Sequence, residues 1–162
     1  MFHKVSTDHD ISEVVKIARV IWIEHYIPIV GAKQVEYMLS NFHSKDVISK
    51  EIGQHKYMYF LIKEDTRIIG YFGVQVKGDE LYLSKIYILS SDRGLGIGRA
   101  AMNFIKQLAQ ENHVGKISLT VNRNNSGSIV AYYKMGFVKT GEVCVDIGEG
   151  YKMDDYQMEL VI

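Results

Sequence analysis

Arg93-Gly94-Leu95-Gly96-Ile97-Gly98-Arg99-Ala100 sits between an apolar, strand-like run (Leu81 to Leu89) and a strongly periodic helical run (Ile97 to Gln110). A strand, a glycine-rich turn and a helix start together make an anion site. The first N–H groups of a helix lack internal partners, and the helix dipole adds positive character there. Glycines let a bulky anion approach the main chain where side chains would obstruct it. The stretch points to a phosphorylated ligand, with a helix-start turn that binds nothing as the bland alternative.

Other phosphate motifs fit less well. A dinucleotide fingerprint needs G-x-G-x-x-G or its relaxed G/A form. Counting from Gly94 puts Arg99 in the sixth position, and counting from Gly96 puts Ala101 there, so only the relaxed form is met. The strand lies far from the N-terminus, and no acidic residue follows in a second parallel strand, where Lys116 to Val121 stands. A P-loop is excluded, because no Gly-Lys-Ser/Thr occurs.

A second segment decides between these readings. It runs Asn125-x-x-Ser128-Ile129-x-x-Tyr132-x-x-x-Gly136-Phe137. Together with Arg93-x-x-Gly96-x-Gly98 it resembles the GNAT superfamily of acetyl-CoA-dependent N-acetyltransferases. The two motifs stand in the family's order, and the similarity extends over nearly the whole chain. The tail (Phe137 to Gly141, Gly148 to Gly150, Asp154 to Met158) is similar to bacterial polyamine N-acetyltransferases.

The resemblance implies a single acetyltransferase domain over residues 1–162. Its α/β fold would have a mixed, mostly antiparallel central sheet of about six to seven strands with helices on both faces. Acetyl-CoA would be the co-substrate, with its pyrophosphate on Arg93, Gly94, Gly96, Ile97, Gly98, Arg99 and Ala100. Ile86, Tyr87 and Ile88 would line the pantetheine arm, with main-chain groups of Ile86 and Ile88 unpaired for it. Asn125, Ser128 and Tyr132 would sit near the pantetheine and sulfur. Trp22 and Tyr26, in the N-terminal helical region, would face the amine acceptor or simply pack against the sheet. The acceptor would be a small-molecule or peptide amine, attacked directly in a ternary complex. The alternatives are an acyl-CoA-binding module without turnover and a protein N-terminal or lysine acetyltransferase.

Chemistry singles out Tyr132. Acetyl transfer from a thioester releases a thiolate, which leaves more easily as a thiol. A phenol near the sulfur can supply that proton or hydrogen-bond the developing charge. The general base is harder to find, although an alkylammonium with a pKa of about 10.4 must lose a proton to attack. The strand positions where relatives carry glutamate correspond to Ser84 and Thr120, neither of which is a useful base. Glu80, Glu142 and Glu24 remain as candidates by exclusion, each also readable as a solvated surface charge.

Composition is permissive. The 162 residues carry 19 basic and 19 acidic side chains, so no global field favours nucleic acid or an anionic membrane. No apolar run approaches the ~18 residues of a spanning helix, and no signal pattern opens the chain. The one cysteine, Cys144, forms no internal disulfide and reads as an inert, buried thiol. A cytoplasmic enzyme is the expectation, and a homodimer is compatible with it. The six histidines form no i, i+4 pair or Cys/His cluster, so no metal site is expected.

Periodicity gives the elements. A strand is expected at Phe2 to Val5 and a helix at Asp10 to Ile23, capped by Asp8 or Asp10. Pro28 and Gly31 should interrupt the chain before helical pieces at Lys33 to Leu39 and Lys45 to Ile52. Strands follow at Tyr57 to Lys63, Arg67 to Val76 and Glu80 to Leu89, joined by short polar connectors suited to hairpins. A helix is expected at Gly96 to Glu111, a strand at Lys116 to Val121, a helix at Ser126 to Met135, and strands at Phe137 to Val145 and Tyr156 to Val161.

Overall fold

The computed structural model describes every residue from Met1 to Ile162. Its strands are β1 (Phe2–Lys4), β2 (Met58–Glu64), β3 (Arg67–Lys77), β4 (Glu80–Ile88), β5 (Lys116–Asn122), β6 (Val138–Gly148) and β7 (Tyr151–Val161). Its helices are α1 (Asp8–Val30), α2 (Ala32–Phe42), α3 (Lys45–Gln54), α4 (Ile97–Glu111) and α5 (Ser126–Lys134), with a 3₁₀ turn at Ser90–Asp92. The strands form one seven-stranded sheet in the order β1-β2-β3-β4-β5-β7-β6. The β1–β2, β2–β3, β5–β7 and β6–β7 pairs are antiparallel, and β4–β5 is parallel with Glu80–Tyr82 in register with Lys116–Ser118. The expected mixed, mostly antiparallel α/β architecture is therefore present.

The chain divides into two compact units. The first, Met1–Gln75 with Ser84–Met102, holds α1 to α3, β1, β2, most of β3, the second half of β4 and the start of α4 as far as Met102. Its core is aliphatic and aromatic, with Ile21, Ile48, Leu61, Ile62, Tyr71 and Phe72 fully buried. The second, Val76–Leu83 with Asn103–Ile162, holds the start of β4, the rest of α4 and everything that follows. Ile117, Leu119 and Val121 alternate with less buried neighbours along β5, the period-two pattern of a sheet with one apolar face. No helix is long and apolar enough to cross a membrane.

Four local expectations change. The cap of α1 is Thr7, whose side chain accepts from the Asp10 N–H at 3.1 Å while Asp10 reaches back to the Thr7 N–H at 3.2 Å. Asp10 is thus the third residue of a capping box rather than the cap itself. Pro28 does not break α1 but lies inside it, and the helix runs on to Val30 before Gly31 caps it. Proline removes one ladder bond, the one residue 28 would give to the Glu24 carbonyl, and the helix continues past it for two residues. Strand β7 begins at Tyr151, five residues before the expected start at Tyr156, because its hairpin with β6 extends to the Gly148–Tyr151 pair. Cys144 is exposed on β6 rather than buried.

Candidate active site

The glycine-rich turn is held from behind by two carboxylates. Glu24 on α1 accepts the Ser90 N–H at 2.8 Å. Asp92, almost fully buried, receives the Arg67 guanidinium through two nitrogens, one at 3.1 Å, and the Ser91 hydroxyl at 2.8 Å. These bonds, Arg67 foremost, hold the Asp92 carboxyl below the usual range. Gly94 and Gly96 then take φ of 77° and 81°, a region that β-carbons disfavour, and α4 begins at Ile97. The Gly96 carbonyl accepts the Ala100 N–H at 3.0 Å, so the N–H groups of Ile97, Gly98 and Arg99 form the unpaired first turn. Arg93 and Arg99 are exposed beside it. Donors, dipole and bare backbone fit a pyrophosphate. One detail differs from expectation: the Ile88 carbonyl is not free, because Arg93 Nε donates to it at 3.1 Å.

The end of β4 is pressed close to β3. A β-carbon at Gly70 would run into the Tyr87 carbonyl, so glycine there is a condition for where Ile86, Tyr87 and Ile88 lie. Tyr87 belongs to an aromatic group with Trp22, Tyr26 and Tyr71. Trp22 stacks on Tyr26 at 4.4 Å, meets Tyr87 edge-on at 5.4 Å, and gives its indole N–H to the Tyr71 hydroxyl at 3.1 Å. Trp22 and Tyr26 are buried, whereas Tyr87 is only partly so. Buried His43 packs on Trp22 at 4.6 Å, and desolvation, then the Lys85 charge, pushes its pKa well down. Lys85 itself is buried, bonded to the Tyr59 hydroxyl at 2.6 Å and to Glu51 at 3.2 Å. Burial lowers its pKa, an effect that the Glu51 charge opposes.

Tyr132 lies on α5, whose end explains the Gly136-Phe137 pair. The Phe137 N–H bonds the Tyr132 carbonyl at 3.0 Å and the Gly136 N–H bonds the Tyr133 carbonyl at 3.0 Å. With Gly136 at φ 99°, this is a Schellman cap. Phe137 is fully buried, its ring 5.6 Å from that of Tyr132. Tyr133, one residue on, is 49% exposed and contributes only its carbonyl to this cap. At the other end Asn125 is buried at the N-cap position, its carbonyl accepting the Ile129 N–H at 3.1 Å, and Ser128 lies half-buried in the first turn.

A family model described as an acetyltransferase (GNAT) domain matches residues 27–160. The chain belongs to the GNAT acetyltransferase family. Over 68 residues, 42% of this chain but only 30% of the relative, it is 35% identical to mouse N-acetyltransferase 8. It therefore spans less than a third of that curated relative. Spermidine N(1)-acetyltransferase of Thermoplasma acidophilum is 21% identical over 132 residues, covering 79% of this chain and 82% of that one. The crystal structure of the PaiA N-acetyltransferase of Thermoplasma acidophilum in complex with coenzyme A superposes with a TM-score of 0.80. That match covers 100% of this chain and 99% of the other at 18% identity, a likeness of fold.

In this GNAT chain the three glutamates considered as bases are already engaged. Glu24 anchors Ser90, as described. Glu80 pairs with Lys116 at 3.5 Å, and Glu142 pairs with Lys139 at 2.8 Å. Lys139, then Arg123, holds the Glu142 carboxyl below its ordinary value. A different carboxylate was missed. Asp155 on β7 is 4% exposed and in register with Asn122 of β5. Burial raises its pKa to about 6, the Thr120 side chain, on the same face of the sheet, acts on the carboxyl to lower it, and the neighbouring Asp154 adds to the rise. The sequence held no local signal for its burial, because strand alternation through Tyr151 to Val161 places Asp155 in phase with polar Gln157 and Glu159, the pattern of a solvated face.

Proposed function

We propose that this protein transfers an acetyl group from acetyl-CoA to a primary amine, with a polyamine or other small amine as acceptor. Acetyl-CoA, when bound, supplies an activated acyl carbon and a thiol leaving group. Ile97, Gly98 and Arg99 hold the pyrophosphate through main-chain N–H groups, with Arg93 and Arg99 adding screened charge. Tyr132 presents its hydroxyl to the sulfur. Trp22 and Tyr26 support the acceptor side through Tyr87, the member of their cluster that keeps exposed surface.

The observation that carries this reading is the anchored, glycine-rich start of α4, with its unpaired first-turn N–H groups; a capped tyrosine on α5 supports it separately. The pairing of Glu24, Glu80 and Glu142 elsewhere favours the second reading, an acyl-CoA-binding module without turnover. Similarity to a spermidine acetyltransferase over 79% of the chain supports the polyamine choice. The test combines calorimetric titration with CoA and thiol release from acetyl-CoA with spermidine, a lysine peptide and a peptide with a free alanine N-terminus. Tight CoA binding with spermidine-dependent thiol release is expected. CoA binding without turnover on any amine would select the module, and turnover confined to the peptides would select a protein acetyltransferase.

A further inference from the structure

We propose that Asp155, acting through the Thr120 hydroxyl, is the proton acceptor for the incoming amine. The assignment rests on the acetyl-transfer reading above and names the group that the reading lacks. Ligands of open α/β sheets gather at the carboxyl ends of parallel strands, and β5 is one member of the sheet's parallel pair. Thr120 and Asn122 form the carboxyl end of β5, and the chain runs from there into α5, which carries Tyr132. Asp155 stands beside this end from the neighbouring strand, paired with Asn122. Strand pairing puts Ser118, Thr120, Asn122 and Asp155 on one face of the sheet.

Two polar atoms on that face are buried without a hydrogen-bond partner, Asp155 Oδ1 and Ser118 Oγ. Buried polar groups are almost always satisfied, so an orphaned carboxylate oxygen calls for a functional explanation or a bound water. A structural ion pair is not that explanation. Arg123, the residue after β5, pairs with Asp154 at 2.9 Å and with Glu142 at 3.8 Å, and not with Asp155. Val143 on β6 opposes Asp155 with an apolar side chain, and Asp154 is the charge that acts on it. The result is an unpaired carboxylate titrating near neutrality behind a hydroxyl relay, as general-base work requires.

The proton balance closes. An acceptor arriving as an ammonium must lose two protons in becoming an amide. One passes to the Thr120 oxygen as Thr120 gives its own proton to Asp155, which later releases it to solvent. The nitrogen then bonds to the acetyl carbon as the carbon–sulfur bond breaks. The sulfur takes the Tyr132 proton, and the second nitrogen proton restores Tyr132 through water. The net change is ammonium plus thioester to amide, thiol and one proton.

The experiment is the pH profile of kcat/KM from pH 5 to 10 with spermidine and the two peptides, for wild type, Asp155→Asn, Thr120→Val, the double variant combining these two changes, and Thr120→Ser. Wild type is expected to rise through pH 6 and then level off. Asp155→Asn should lose about 10²-fold at pH 7 and instead climb steadily with the free-amine fraction. Thr120→Val should behave the same way, the double variant should be no worse than either, and Thr120→Ser should retain the plateau. Circular dichroism and CoA affinity should match wild type throughout. A plateau that survives Asp155→Asn overturns the proposal. So does a change confined to KM, which would make Asp155 an ammonium anchor, or a fully active Thr120→Val. Failure of wild type to turn over any amine instead defeats the acetyl-transfer reading, and this assignment with it.

Discussion

The ring of Tyr132 lies 5.6 Å from that of Phe137, tilted by 59°, while the Phe137 N–H closes back on the Tyr132 carbonyl at 3.0 Å. Buried Phe137 and the glycine cap thus fix both ends of the residue that carries the proposed acid. Tyr132→Phe keeps the ring and this packing and removes only the hydroxyl. Turnover should fall about 10²–10⁴-fold with CoA affinity nearly unchanged, because the loss falls on the transition state. Tyr133→Phe should leave the rate within a factor of a few. Steady-state kinetics beside calorimetry with CoA checks both, and equal, minor effects would remove Tyr132 from its role.

The start of α4 binds through main chain, so shape should outweigh charge there. Gly96→Val forces a β-branched residue into φ of 81°, and Gly98→Val puts a branched side chain in the first turn. Both should weaken CoA binding by at least ~10-fold more than Arg93→Ala, which removes one exposed, screened charge. Calorimetric titration of the folded variants decides it. Affinity preserved in both valine variants would show that the anion lies elsewhere.

Asp155 costs stability, and its sign is set by a raised pKa. The folded carboxyl titrates near 6 against 3.8 for the free group, so the folded state holds its proton more tightly across that interval. Above pH 6 the ionised, desolvated carboxylate is a full penalty, which fades as pH falls through 6 towards 3.8. Asp155→Asn should therefore stabilise the protein at pH 8 by about 2 kcal/mol, raising Tm by roughly 4–8 °C. Near pH 4 the gain should vanish. Thermal melts at the two pH values test this, and a destabilised variant at pH 8 would mean that the charge has a partner.

The capping box of α1 gives the opposite sign. Ser6 N–H, first among several donors, lowers the Asp10 pKa from 3.8 to about 2. Its contribution is complete above pH 3.8 and is lost as pH falls through 2. Thr7→Ala, which removes the other half of the box, should cost about 1 kcal/mol at pH 7. Denaturant unfolding would measure it. An unchanged midpoint would show that tertiary contacts alone hold the start of α1.

What the sequence determined was whatever depends on short-range pattern. The order of strands and helices, the glycine turn before α4 and the α5 motif are all legible, because helix and strand periods and glycine's freedom at positive φ are local properties. Pro28 misled because a proline signals a break whatever its distance from the helix end, and only the finished α1 shows that two more residues fit after it. Burial and partnership, by contrast, belong to the tertiary structure. Nothing local shows that Glu24 is spent on Ser90, that Trp22 gives its N–H to Tyr71, or that Cys144 faces solvent. Asp155 illustrates the difference most clearly. As one of two aspartates in a polar tail it looks like surface charge. Pairing of β7 with β5 buries it against Thr120, 35 positions earlier in the chain, and removes the water that would have kept its pKa ordinary.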